Sequence, residues 1–140
     1  MAFLRRSANP GKLSPIEFWL MIGVVINGLA VITGAAVPAT LAAALPPPYR
    51  TVWALFLIVG GSCALSGWSS VGVYRVGLAL VASGATTYGV ALLLNGLTAF
   101  VAATLNLSLA LACIFQIVAI GRQLEAARRE VFSAAPDSPE

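Results

Sequence analysis

This chain has no histidine, a single lysine (Lys12) and little charge of either sign: eight basic and five acidic side chains in 140 residues, or 9%. A water-soluble domain carries about 25% charged residues. A soluble fold this short also leaves much of its surface wet, and that surface needs polar cover. The cover is missing, which excludes water as the solvent for most of the chain. A membrane hydrolase wants a nucleophile with a His or Lys base, or acidic metal ligands. Neither set is present, so the expectation is a protein that is not an enzyme and holds no metal and no cofactor.

Cysteine is scarce too. Cys63 and Cys113 lie inside apolar runs, there is no C-x-x-C, and both read as small buried hydrophobes. The net charge of +3 does not imply a nucleic-acid partner, because the basic residues flank apolar segments.

What the chain has is hydrophobic length. Apolar residues make up 59% of it, and Phe18–Tyr49, Thr51–Tyr74 and Val76–Gly121 carry no charge. About 20 apolar residues cross a bilayer core of about 30 Å. As one helix, the last window would reach roughly 69 Å at 1.5 Å per residue, so it must fold back on itself. Asn95-Gly96 supplies the turn.

The fold class expected is all-α: an integral membrane protein with four transmembrane helices in an antiparallel bundle with short loops. Residues 1–140 form a single membrane domain with spans at about 16–36, 52–68, 74–94 and 97–121. A cytoplasmic amphipathic helical extension follows over about 122–133, where Glu125 can pair with Arg128 or Arg129 at helical spacing. Residues 134–140 are expected to be disordered.

The first span opens on Ser14-Pro15-Ile16-Glu17, an S-x-x-E capping box with proline at the first helical position. Glu17 is the one carboxylate at the start of a span. As a proton carrier it would have to lie deep and face a cavity. It sits about one turn inside, so helix cap is the preferred role for Ser14 and Glu17. Val37-Pro38 and Pro46-Pro47-Pro48 end the helical register, and Ala39–Leu45 reads as a short interfacial turn. Tyr49, Trp53 and Trp68 suit the two interfaces of the second span.

Taking the segments outside the spans alternately, Arg5, Arg6, Lys12, Arg75, Arg122, Arg128 and Arg129 fall on one side, and Arg50 alone on the other. That bias puts both termini in the cytoplasm and the protein in the inner (plasma) membrane, multi-pass. The rival for the first span is a cleaved signal peptide, with Arg5 and Arg6 as its charged start and Val37-Pro38-Ala39 as its site. The apolar stretch is longer than the 7–15 residues typical of such segments, so the span is expected to be retained.

Asn27, Asn106 and Gln116 are the deep amides, expected to make polar contacts between helices. Ala30 and Gly34, Cys63 and Gly67, and Ala85 and Gly89 are each four apart, a spacing that lets helix backbones approach; they are expected to be packing surfaces. Ser62, Ser66, Ser69, Ser70, Ser83, Thr86 and Thr87 form a mildly polar strip whose hydroxyls can bond their own helices. Arg50 is expected to snorkel to the headgroups at the outer end. Arg75, Arg122, Arg128 and Arg129 mark topology at the other end and meet lipid headgroups.

In size and in its four crossings the chain resembles the small multidrug resistance transporters. It departs from them in lacking an acidic residue well inside the first span, where Asn27 stands, and an aromatic-rich third span, where Tyr88 is nearly alone. The one-sided charge also departs from that family and from the four-pass fluoride channels, which often insert both ways. Over its whole length, in size, Ala/Gly richness, short turns and basic tail, the chain resembles the small multi-pass, holin-like membrane proteins of actinobacterial phages. That resemblance implies oligomerisation through small-residue faces and formation of a membrane lesion. Its only second methionine, Met21, lies inside the first span, so no paired start is visible.

The functional expectation is a small, non-enzymatic integral membrane protein, holin-like and oligomerising in the inner membrane. The alternatives are an accessory or superinfection-exclusion protein that binds another membrane protein, and a small transporter or channel. The partners expected are the lipid bilayer and either further copies of the chain or another membrane protein, with no nucleic acid.

Overall fold

The computed structural model describes residues 14–67, 70–94 and 100–133. Its elements are α1 (Pro15–Ile32), α2 (Ala39–Ala44), α3 (Pro47–Ser66), α4 (Val71–Leu94) and α5 (Phe100–Ser133), and no strand occurs among the described residues. Four of them, all but α2, are long and apolar enough to cross a membrane. At 1.5 Å per residue they measure roughly 27, 30, 36 and 51 Å. A hydrocarbon core is about 30 Å thick, so α5 outruns it by about 20 Å. The expected Asn95-Gly96 turn, Trp68, and residues 1–13 and 134–140 lie outside the described residues.

Local chemistry sets the ends of α1. Ser14 N donates to Glu17 Oε2 over 2.8 Å, and Glu17 N donates to Ser14 Oγ over 3.3 Å, with Pro15 at the first helical position. At the other end Thr33 Oγ1 donates to the carbonyls of Leu29 and Ala30, and Gly34 takes φ +72°. That left-handed residue stops the helix at Ile32, four residues short of the expected 36. α3 begins at Pro47 and α4 at Val71, both earlier than expected. Proline is tolerated in the first turn because the N–H it lacks would have no helical partner there.

The spans pack in chain order. α1 lies on α3, α3 on α4 and α4 on α5, while the short α2 rests on α4 and α3. No comparably extensive contact joins α1 to α5. The arrangement is therefore a row, and burial follows position in it: half of the α4 span is buried, a third of α3, and 22% of each end helix.

The seams have heptad-like spacing. On α1 the buried residues are Met21, Val24, Gly28 and Val31; on α5 they include Ala103, Ala110, Cys113 and Ile120. Steps of three, four and seven keep one stripe of a helix facing its neighbour. Glycine supplies the closest approaches. A Cβ on Gly28 would lie 2.9 Å from the Ala54 carbonyl oxygen, and one on Gly60 would lie 2.9 Å from Val81 N. A Cβ on Gly77 would lie 2.7 Å from the Gly60 oxygen. At these points helix backbones touch each other, and dispersion and close packing help to hold them.

Candidate functional site

The richest side-chain constellation joins α2, α3 and α4 at the end of the row where Arg50 lies. Trp53 is buried between α3 and α4, and its indole Nε1 donates to the Gly84 carbonyl over 3.0 Å. Its ring meets that of Tyr88 at 5.2 Å between centroids, tilted by 59°. Tyr88 Oη in turn shares a hydrogen bond of 3.0 Å with Thr40 Oγ1 on α2. Beside it Leu41, the neighbour of Thr40, is wholly buried. The interfacial turn expected at Ala39–Leu45 is thus a docked helix, held by one apolar plug and one hydroxyl pair.

Arg50 closes the same unit. Its Nε donates to the Leu45 carbonyl at 2.5 Å and its Nη2 to the Ala42 carbonyl at 2.8 Å. The last carbonyls of a helix have no partner within it, and a planar guanidinium can serve two at once. Arg50 therefore caps α2, a role its place in the sequence did not show. The interfacial place expected for Trp53 is corrected, because its buried ring belongs to the α3–α4 seam and not to an interfacial belt. Tyr49 stays exposed. A shallow recess of about 200 Å³ adjoins this unit, lined by Val31, Ile32, Val37, Pro47, Arg50 and Thr51.

The small pairs divide. Ala85 is buried, and Gly89 faces Leu107 and the Ala103 carbonyl on α5. Gly67 packs on Tyr74, and Cys63 is half-buried. Ala30 is half-buried, but nothing lies within 4 Å of a Cβ placed on Gly34. Gly34 is a helix stop rather than a packing surface, because its backbone has left the helical region. Gly28, Gly60, Gly61, Gly77 and Gly84, not singled out from sequence, make most of the close contacts. A usable signal was present in Gly60, Ala64 and Gly67, at steps of four and three, and in Gly77 and Gly84, seven apart.

The deep amides are not brought together. Asn106 Nδ2 donates to the Ala102 carbonyl of its own helix at 2.8 Å. Gln116 is half-buried on α5. Asn27 is exposed on α1, turned away from α3. The hydroxyls of Ser66, Ser83, Thr87 and Thr104 each donate to a carbonyl one turn back on their own helices. Among the described residues no charged or strongly polar side chain is buried, and no group of three His, Cys, Asp or Glu side chains gathers.

The basic residues mark the opposite end. A Cβ on Gly121 would lie 3.8 Å from Arg75 Nη2, so this guanidinium reaches from α4 to α5. Arg122, Arg128 and Arg129 are exposed on the extension of α5. The outer surface carries large apolar side chains: Trp19, Leu94, Val101 and Phe115 are each about two-thirds exposed or more.

Chemically, the constellation can fasten helices. It offers no nucleophile–base pair and no buried acid. Compared with known proteins, the chain matches no family model, no curated protein and no solved structure.

Proposed function

We propose that this protein is a non-enzymatic, multi-pass component of the inner membrane that acts by lateral association of its helices within the bilayer, in the manner of a holin-like lesion former. One observation carries the reading. Ser83, Thr87, Thr104 and Asn106 bond carbonyls of their own helices, the cross-helix bonds of Trp53 and Tyr88 fasten α2, α3 and α4 together, and a predominantly apolar surface with two end helices, each packed on a single neighbour, faces outward. Such a surface suits contacts with other helices in the membrane plane. A transporter would want its polar groups converging on a shared interior.

In this reading the four spans run antiparallel. The pairing of α1 with α3 supports it: Gly28 meets Ala54, while Gly61, later in the chain, meets Met21, earlier in the chain. The one-sided distribution of Lys and Arg supports cytoplasmic termini, and it makes the projecting part of α5 a cytoplasmic extension.

Controlled expression tests the proposal. The full chain, together with a cytoplasmic muralytic enzyme, should arrest growth abruptly and release the enzyme. Steady growth with the enzyme retained, in cells where the protein is fully inserted, would refute it.

A further inference from the structure

We infer that the α1 face carrying Asn27 is a dimer face, met by the same face of a second copy of this chain. The inference rests on the lateral self-association just proposed and names the surface responsible.

Asn27 stands about 5 Å from the midpoint of α1 at 1.5 Å per residue, well inside a hydrocarbon core. Its side chain makes no hydrogen bond with any described residue and is exposed on the outside of the row. Asn106 lies in the same row and behaves differently, because its amide nitrogen donates to the Ala102 carbonyl one turn back. A primary amide carries two donors and an acceptor, and in hydrocarbon no water meets them. An outward, unbonded amide at that depth therefore calls for polar atoms from another helix.

The residues that α1 buries are Met21, Val24, Gly28 and Val31, and Val25 also meets Gly61 of α3. Asn27 is one residue out of that stripe, about 100° around the helix, so the α3 seam does not cover it. α1 ends the row, and α5 does not close over it. One turn before Asn27, a Cβ on Gly23 would meet nothing within 4 Å, which leaves room for a second backbone.

Two features point to a copy of this chain as the occupant. An amide is self-complementary, so two related by a two-fold axis each donate to and accept from the other. The bias of Lys and Arg holds every copy the same way up, so Asn27 of each copy sits at the same depth. A two-fold axis along the membrane normal then brings Asn27 to Asn27.

The full chain in vesicles, at graded protein-to-lipid ratios, tests this by single-molecule photobleaching. Asn27→Leu should weaken dimerisation by roughly five- to tenfold, the effect of losing two amide contacts of ordinary membrane strength. Asn27→Gln should keep most of it. With Cys63 and Cys113 replaced by Ala, Leu20→Cys, two turns from Asn27 on the same side of α1, should cross-link on mild oxidation. Phe115→Cys on α5 should not. A wild-type dimer that ignores Asn27→Leu and cross-links through Phe115→Cys would overturn the face while leaving self-association standing. A wild type that stays monomeric at every ratio would overturn both.

Discussion

Gly77→Ala offers the sharpest test of how the row is held. A Cβ there would lie 2.7 Å from the Gly60 carbonyl oxygen and 2.9 Å from the Ala64 Cα, and it would also meet Ala64 N. All three obstacles are backbone, so no side chain can swing aside. Restoring ordinary contact requires α3 and α4 to part by about 1 Å, and a gap of that size forfeits up to about half of each dispersion well it opens. Overpacking of this kind costs about 1–3 kcal/mol. Alanine returns about 0.5–1 kcal/mol through its better helix propensity. The net expectation is a loss of about 1–2 kcal/mol, or roughly five- to thirtyfold in the folded-to-unfolded ratio. Gly72→Ala is the control, because its nearest neighbour, Ser70 Oγ, would be 3.7 Å from the new methyl. Reversible unfolding in mixed micelles, titrated with a denaturing detergent, gives both values. If Gly77→Ala is as stable as Gly72→Ala, backbone contact does not hold α3 to α4.

Substitutions at two further positions probe the cap of α1 and the α3–α4 seam. Glu17→Gln should leave growth arrest and stability nearly unchanged, because glutamine still serves the capping box, whereas Glu17→Ala should cost about 0.5–1 kcal/mol in the same titration. Complete loss of activity in an inserted Glu17→Gln protein would show that the carboxylate does more than cap α1. Trp53→Phe keeps a ring against Tyr88 but removes the donor to Gly84, and it should cost about 1–2 kcal/mol. Hydrogen exchange would then rise across α3 and α4 near Gly84; an unchanged exchange pattern would mean that the indole bond contributes nothing.

Some of this architecture was legible before any coordinates. The near-absence of charge and the spacing of the few charges pointed to four helices long and apolar enough to cross a membrane. Ser14 and Glu17 announced the start of α1 because both bonds of the box form within four residues. Other features were hidden by the same composition. A helix that is apolar all round carries little amphipathic signal, so its facing stripe cannot be read from hydropathy. Trp53 illustrates this: a tryptophan near the start of a span suits a headgroup belt, and only the position of Gly84 across the seam makes it a buried donor. The capping role of Arg50 was equally hidden, since its partners Ala42 and Leu45 are brought within reach only when α2 folds as a helix.

The sequence by itself determined that the chain is helical and fit to cross a bilayer four times, because lipid leaves unpaired backbone groups no other partner. It also determined where α1 begins, because capping is a contact between near neighbours. The tertiary structure alone decided that the spans stand in a row with α1 and α5 uncovered, that α2 docks beneath Tyr88, and that Asn27 turns outward while Asn106 does not. Those outcomes depend on which backbones can approach, and glycines on one helix define that distance only once the neighbouring helix is in place.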